Sequence, residues 1–106
     1  MTFLIPINYR DFYDVPRMFI VVDAGVSYLF ESSFEEASDE YSGFYTVSIL
    51  PPLSHEDLDG SWASLPDRAV GYLGQVPVSE VRFDQTRRQS IERPSLRSVI
   101  SGIIRP

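Results

Sequence analysis

The sequence predicts a mainly β fold, either a small, bent antiparallel sheet or a barrel of about five strands, finished by a short C-terminal helix. Three runs of β-branched and aromatic residues alternate with turn residues between positions 17 and 50. A length of 106 residues with 43% hydrophobic content suits one core. Residues 1–106 are therefore predicted to form a single domain.

The first predicted element is a β-hairpin. Residues 18–22 (Met-Phe-Ile-Val-Val) form a continuous apolar run, which favours a central strand covered on both faces or a strand in a barrel wall. Asp23-Ala24-Gly25 predicts a tight turn with positive φ at the glycine, and residues 26–30 return as the next strand.

Aromatic residues precede this hairpin. Tyr9, Phe12 and Tyr13 lie among charged neighbours. They have the composition of an interface hot spot, but aromatic residues also dominate small cores, so we favour a role in covering the core.

An acidic segment follows the hairpin and leads to a third strand. Residues 31–43 carry five carboxylates around Phe34 and Tyr41, which predicts a solvated loop or a short helical turn. Residues 44–50 have strong β propensity and stop at Pro51-Pro52, because proline has no N–H to donate to a neighbouring strand.

The second half begins with a long connection over residues 51–67. Its leucines and Trp62 are spaced for one short helix or 3₁₀ turn folded over the core, with Trp62 as the anchor. Residues 70–73 and 76–83 predict two further strands joined through Gly74, and Pro77 indicates an edge or a bulge.

The C-terminal segment predicts a helix that begins near Pro94. Leu96, Val99, Ile100 and Ile103 recur at helical spacing and form one apolar stripe. A helix of about ten residues is too short to be stable alone in water, so it must dock on the sheet or on a partner.

Charge is divided unevenly along the chain. Residues 1–66 hold eleven acidic residues against two arginines, whereas residues 67–106 hold four against seven, and the net charge is −6. An acidic total disfavours nonspecific binding to nucleic acid or to an anionic membrane.

The absence of cysteine excludes disulfides and thiol chemistry and favours a reducing compartment. No apolar stretch is long enough for a membrane span. We expect a soluble, cytoplasmic protein.

Catalytic motifs are weak. Ser54-His55-Glu56-Asp57 offers a hydroxyl, the only histidine and carboxylates, but catalytic groups meet through tertiary geometry rather than adjacency. We predict an exposed loop there, with no catalytic residue, metal or cofactor. A small enzyme with a site around His55 remains an alternative.

An arginine segment is the strongest candidate for contact with an anion. It comprises Arg82, Arg87, Arg88, Arg93 and Arg97. Guanidinium groups bind carboxylate or phosphate in bidentate fashion. We favour pairing with the acidic first half of the chain, and a protein partner or nucleic acid are the alternatives.

Two stretches resemble the second half of SH3 domains. Asp59-Gly60-Ser61-Trp62 places a tryptophan after a turn, and a Gly-x-apolar-Pro segment begins at Gly74, while residues 11–14 stand near that family's aromatic-acidic motif. The resemblance covers a small part of the chain. It implies a five-stranded barrel that binds proline-rich peptides in a groove near Tyr13, Trp62 and Pro77.

These observations together predict a noncatalytic protein-interaction domain of undefined cellular process. We expect a protein partner or a homo-oligomer, and no membrane. The predicted partner-binding residues are Tyr13, Trp62, Arg82, Arg87, Arg88 and Arg93. A nucleic-acid-binding small barrel that uses the arginine segment is the first alternative.

Overall fold

The computed structural model describes residues 4–84 and 89–104, apart from the side chains of Tyr13 and Ile104. Within these ranges the strands are β1 (Leu4–Pro6), β2 (Asn8–Tyr13), β3 (Val15–Asp23), β4 (Val26–Glu31), β5 (Phe34–Glu35), β6 (Glu40–Tyr41), β7 (Phe44–Leu50), β8 (Gly71–Pro77) and β9 (Ser90–Glu92). The helices are α1 (His55–Asp59) and α2 (Arg93–Ile104), with 3₁₀ turns at Pro66–Arg68 and Val78–Glu80.

The main sheet has five antiparallel strands in the order β2-β3-β4-β7-β8. The strands lie in the sheet in the same order as in the chain. The hairpin β5–β6 is inserted between β4 and β7 and forms its own two-stranded sheet. A second sheet pairs β1 with β9. The mainly β prediction is confirmed in its open-sheet form, because the five strands do not close into a barrel, and the barrel implied by the SH3 resemblance is therefore not formed.

The predicted hairpin of β3 and β4 is confirmed. Ala24 and Gly25 have φ angles of 52° and 79°, the two positive values of a type I′ turn. Ladder pairs run from Met18↔Glu31 to Asp23↔Val26. Val22 is exposed, so the sheet is covered on both faces only over the earlier part of β3.

Helix α2 covers one face of the main sheet. Leu96, Val99 and Ile100 are buried in a cluster with Phe19 and Phe30 of the central strands. The predicted helix and its apolar stripe are confirmed, and the helix docks within its own chain. Ile103, the fourth residue of the predicted stripe, is partly buried and packs against the same cluster.

The connection between β7 and β8 covers the opposite face. Trp62 and Leu65 are buried there against Ile20, Leu29 and Leu50. The predicted anchoring role of Trp62 is confirmed. The connection contains two short helical segments, α1 and the 3₁₀ turn at residues 66–68, where one was predicted.

Two local predictions were wrong. The region 70–83 contains one strand rather than two: β8 runs through Gly74 with a register irregularity, and a 3₁₀ segment follows Pro77. Gly74 has a φ of 143°, so the chain bulges without leaving the sheet. The edge position that Pro77 indicated is confirmed, because β8 is an outer strand, whereas the bulge lies at Gly74 rather than at Pro77. Residues 31–43 end strand β4 and form the hairpin β5–β6 instead of a loop or helical turn.

The N-terminal aromatic residues lie on β2, a strand that the sequence did not predict. Tyr9 is partly buried against the α2-side cluster, whereas Phe12 is 45% exposed and its ring lies 5.6 Å from that of Tyr9. The predicted role in core cover therefore holds for Tyr9 and only weakly for Phe12.

Candidate functional site

The residues around His55 form a helix cap. The hydroxyl of Ser54 accepts from the amide of Asp57 at 3.2 Å, and the Asp57 carboxylate accepts from the amide of Ser54 at 2.9 Å. This is the reciprocal capping box of a helix N-terminus. The hydrogen bond from the Ser54 backbone, together with that from Arg68, holds the pKa of Asp57 below its ordinary value.

His55 itself is exposed at the first position of α1. Among the residues that the structure describes, no group of three or more histidine and acidic side chains is arranged to hold a metal ion. The capping box accounts for the hydroxyl and carboxylate that flank His55.

Two members of the arginine segment pair with the acidic first half of the chain. Arg93 and Arg97 contact opposite oxygens of Asp23, at 3.1 Å and 3.2 Å. Burial acts to raise the pKa of Asp23, but the hydrogen bonds and positive charge of the two arginines outweigh it and the pKa lies below its ordinary value. These contacts join α2 to the β3–β4 turn.

Of the three remaining arginines of that segment, Arg82 lies within the described residues. Arg82 is exposed and lines a groove of about 760 Å³ between α2 and the end of β8. Glu80 and Glu92 line the same groove, so its charge is mixed. Arg87 and Arg88 lie outside the described residues.

The structure separates the residues that the SH3 resemblance would group. Pro77 lines the groove beside α2, whereas Trp62 lines a different groove on the opposite face of the sheet. Trp62 is only 4% exposed, and its indole N–H donates to the carbonyl of Leu58 at 3.0 Å. The side chain of Tyr13 is outside the described part of the chain.

The most distinctive surface is the hairpin β5–β6 with its flanks, residues 33–44, here named the acidic hairpin. It carries four exposed carboxylates and no basic residue. These are Glu35, Glu36, Asp39 and Glu40. In the described part of the chain none of the four forms an ion pair.

Aromatic side chains stand among these carboxylates. Phe34 and Phe44 are each 49% exposed, and the ring of Phe34 meets that of Tyr41 edge-on at 5.2 Å. About half of each phenylalanine side chain stays exposed to water, beside carboxylates that form no ion pair within the described residues. Aromatic residues are enriched in protein interfaces, whereas charged residues are confined mainly to their rims.

Arg17 fixes the base of the acidic hairpin to the sheet. This arginine is only 9% exposed, and it donates to the hydroxyl of Ser32 at 3.3 Å and to the carbonyl of Ser42 at 3.4 Å. It also pairs with Asp14 at 2.7 Å and lies 5.0 Å from the ring centre of Tyr41. The hairpin therefore has a defined position although most of its side chains are exposed.

From the sequence, the partner surface was predicted on Tyr13, Trp62 and arginines, and the acidic hairpin was not singled out. The signal was present as Phe34 and Tyr41 within a run of acids, but two-residue strands give no alternating pattern to detect.

No family model, no curated protein and no solved structure matches this chain. Among the described helices, none has both the length and the apolar character needed to cross a membrane.

Proposed function

We propose that this chain is a noncatalytic protein-interaction domain, located in the cytoplasm, that engages its partner through the acidic hairpin. The observation that carries the proposal is the combination, in the acidic hairpin, of two half-exposed phenylalanines and four carboxylates that form no ion pair with any described residue. A partner would bury the aromatic rings and neutralise the charge.

The chemistry of the surface defines the partner. Burying Phe34 and Phe44 contributes apolar contact area, for which a partner needs complementary apolar groups. The carboxylates require basic groups around them, because like charges at an interface are repelled. We therefore propose a protein with a basic surface around an apolar centre, and expect its association rate to fall as salt is added.

The two alternative functions use other parts of the molecule. Nucleic-acid binding would require the arginine segment, in which Arg93 and Arg97 are already occupied by Asp23. A small enzyme would use the surroundings of His55, where Ser54 and Asp57 bind each other as a helix cap. Neither alternative makes use of the acidic hairpin.

The test is affinity capture from native lysate with tagged full-length protein, with and without nuclease treatment. Three baits are compared: wild type, a hairpin variant (Glu35→Lys with Glu36→Lys) and a control variant (Glu56→Lys with Glu80→Lys). Both variants shift the net charge by the same amount, and the four residues are exposed.

The expected result is a nuclease-resistant protein that the wild type and the control variant retain and the hairpin variant loses. Equal retention by both variants would remove the hairpin from the proposal. Partners that disappear with nuclease and persist in the hairpin variant would favour nucleic-acid binding through the arginine segment instead.

A further inference from the structure

A second feature lies beside the acidic hairpin on the face of the sheet opposite α2. A groove of about 430 Å³ runs between strands β2–β4 and the loop at residues 60–66. Its lining combines the apolar side chains of Met18, Trp62 and Pro66 with three charged residues. These are Arg10, Asp11 and Glu31.

The positive charge of this groove is already occupied. The Arg10 guanidinium donates to the Leu58 carbonyl at 2.6 Å and to the Tyr9 carbonyl at 3.0 Å. Its Cζ atom also lies 4.3 Å from the ring centre of Trp62. Arg10 is therefore directed at the connection and not at the acidic side of the groove.

Among the residues that the structure describes, Glu31 has no cationic partner. Arg10, Met18 and Glu31 occupy one row across β2, β3 and β4, with Met18 paired to both neighbours. Arg10 and Glu31 are thus two strand spacings apart, roughly 10 Å, too far for contact between their backbones but within reach of long side chains. No ion pair joins them, and within the described ranges Glu31 pairs with no other cation.

We propose that this groove receives an arginine side chain of the protein partner, with Glu31 as its counter-charge and Met18 as its apolar floor. The inference rests on the interaction function proposed above and specifies what the partner inserts. A partly buried carboxylate forms stronger ion pairs than a fully exposed one, because water screens it less. Arginine suits the position since its stem packs on apolar surface and its guanidinium is weakly hydrated.

The groove and the acidic hairpin are continuous along the chain. Glu31 ends strand β4, and Ser33 begins the acidic hairpin two residues later. Glu31 precedes Phe34 by three residues, at most about 11 Å of extended chain, a distance that one extended partner segment can span. One basic segment can satisfy both features, which places the inserted arginine at the border of the interface.

The test uses acetyl-(Arg)₄-amide as the probe and acetyl-(citrulline)₄-amide as its neutral control of matched shape. The full chain is labelled for NMR, and the methyl signal of Met18 and the indole N–H signal of Trp62 report on the groove. Trp62 is the only tryptophan, so its signal is unambiguous. Backbone amides of residues 33–44 report on the acidic hairpin.

The arginine peptide is expected to shift both groove signals, and the citrulline peptide is not. Glu31→Gln should weaken binding of the arginine peptide by roughly three- to tenfold, the range for loss of one partly screened ion pair. Glu80→Gln is the matched control, because Glu80 is exposed and lines the groove beside α2. The Glu80→Gln variant should bind the arginine peptide with an affinity close to that of the wild type.

Three results would overturn the inference. Shifts confined to residues 33–44 would reject the groove and leave the hairpin function standing. Equal affinities of Glu31→Gln and Glu80→Gln would reject Glu31 as the counter-charge, and the absence of any shift would reject a cationic ligand. Failure of the proposed interaction function is detected separately by the affinity capture, in which the hairpin variant would then retain the same partners as the wild type.

Discussion

Arg10 and Trp62 share one hydrogen-bond acceptor, since both donate to the carbonyl oxygen of Leu58, at 2.6 Å and 3.0 Å. The guanidinium of Arg10 also lies over the indole ring. Arg10 belongs to the edge strand β2, whereas Leu58 and Trp62 belong to the connection between β7 and β8. This contact therefore joins strand β2 to the connection between β7 and β8, beside the core cluster that contains Trp62.

Arg10→Met keeps an unbranched stem but removes the hydrogen bonds and the cation–π contact. We expect the free energy of unfolding to fall by about 1–2 kcal/mol, the combined range for such contacts at a partly buried site. Urea denaturation followed by circular dichroism measures the change. Arg82→Met is the control, because Arg82 is exposed and forms no ion pair within the described residues. Equal losses in the two variants would contradict a specific role for Arg10.

The hydroxyl of Tyr45 connects the core of β7 to β3. Tyr45 is fully buried, its hydroxyl donates to the carbonyl of Pro16 at 2.7 Å, and burial raises its pKa far above the ordinary tyrosine value. Tyr45→Phe preserves the ring but leaves the Pro16 carbonyl unpaired, which should cost about 1–2 kcal/mol of stability. Thermal melts of this variant and of Tyr72→Phe give the comparison. Tyr72 is 65% exposed, so its variant should melt with the wild type.

The pairing of Asp23 with Arg93 and Arg97 predicts a pH dependence. The folded-state pKa of Asp23 lies below its unfolded value of about 3.9, so the pairing stabilises the fold above that pH and is lost as the pH falls below it. Asp23→Asn should lower stability at pH 7 by at most about 1 kcal/mol, because both arginines are partly exposed to water.

The difference between wild type and Asp23→Asn should shrink as denaturation is repeated from pH 7 to pH 2. Asp67→Asn serves as the control, since Asp67 is exposed and forms no ion pair in the described part of the chain. A constant difference for Asp23→Asn across the range would show that packing, not charge, causes the loss.

Two glycines should respond in opposite directions to alanine. At Gly74 the φ is 143° and an added Cβ would lie 2.9 Å from Ile103 Cγ2, so Gly74→Ala combines backbone strain with a close contact against α2. We expect a loss of roughly 2 kcal/mol. At Gly102 an added Cβ meets nothing within 4 Å, and Gly102→Ala should stabilise α2 by about 0.5 kcal/mol. Denaturation of both variants tests the pair, and destabilisation by both would contradict it.

The elements that sequence reasoning predicted well are those with local signals. The Ala24-Gly25 turn requires positive φ at adjacent positions, and the stripe of α2 repeats at helical spacing, so a short window is sufficient to detect each. The pairing of β1 with β9 was missed because it depends on distant residues. Ile5 and Ile91 lie opposite each other in that sheet, and no window along the chain contains both.

The candidate site was harder to predict than the fold. Ser54 and Asp57 stood out as possible chemistry, although a serine followed three residues later by an acid is also the pattern of a capping box. The acidic hairpin is the opposite case, because its carboxylates were interpreted from the sequence as an ordinary solvated segment. Its proposed role depends on the absence of ion pairs among the described residues and on the exposure of Phe34, and both follow from the folded arrangement.

We expect Arg17 to position the acidic hairpin on the main sheet. Because Arg17 is buried and donates to both Ser32 and Ser42 at the base of the hairpin, it is a positioning residue for the proposed interface. Arg17→Gln should cost about 2–3 kcal/mol of stability, since the carbonyl of Ser42 and the hydroxyl of Ser32 lose a charged donor. Hydrogen exchange should rise first at residues 33–44.

A structural role alone would lower stability without changing how the folded protein binds. Preorganisation adds a second effect, because a loosened hairpin must be ordered when the partner binds, and the affinity then falls even at temperatures where the variant is fully folded. Calorimetric titration of the captured partner at 10 °C against wild type, Arg17→Gln and Tyr45→Phe separates the two. Weaker binding by Arg17→Gln alone supports the positioning role, whereas unchanged binding by both variants would restrict Arg17 to stability.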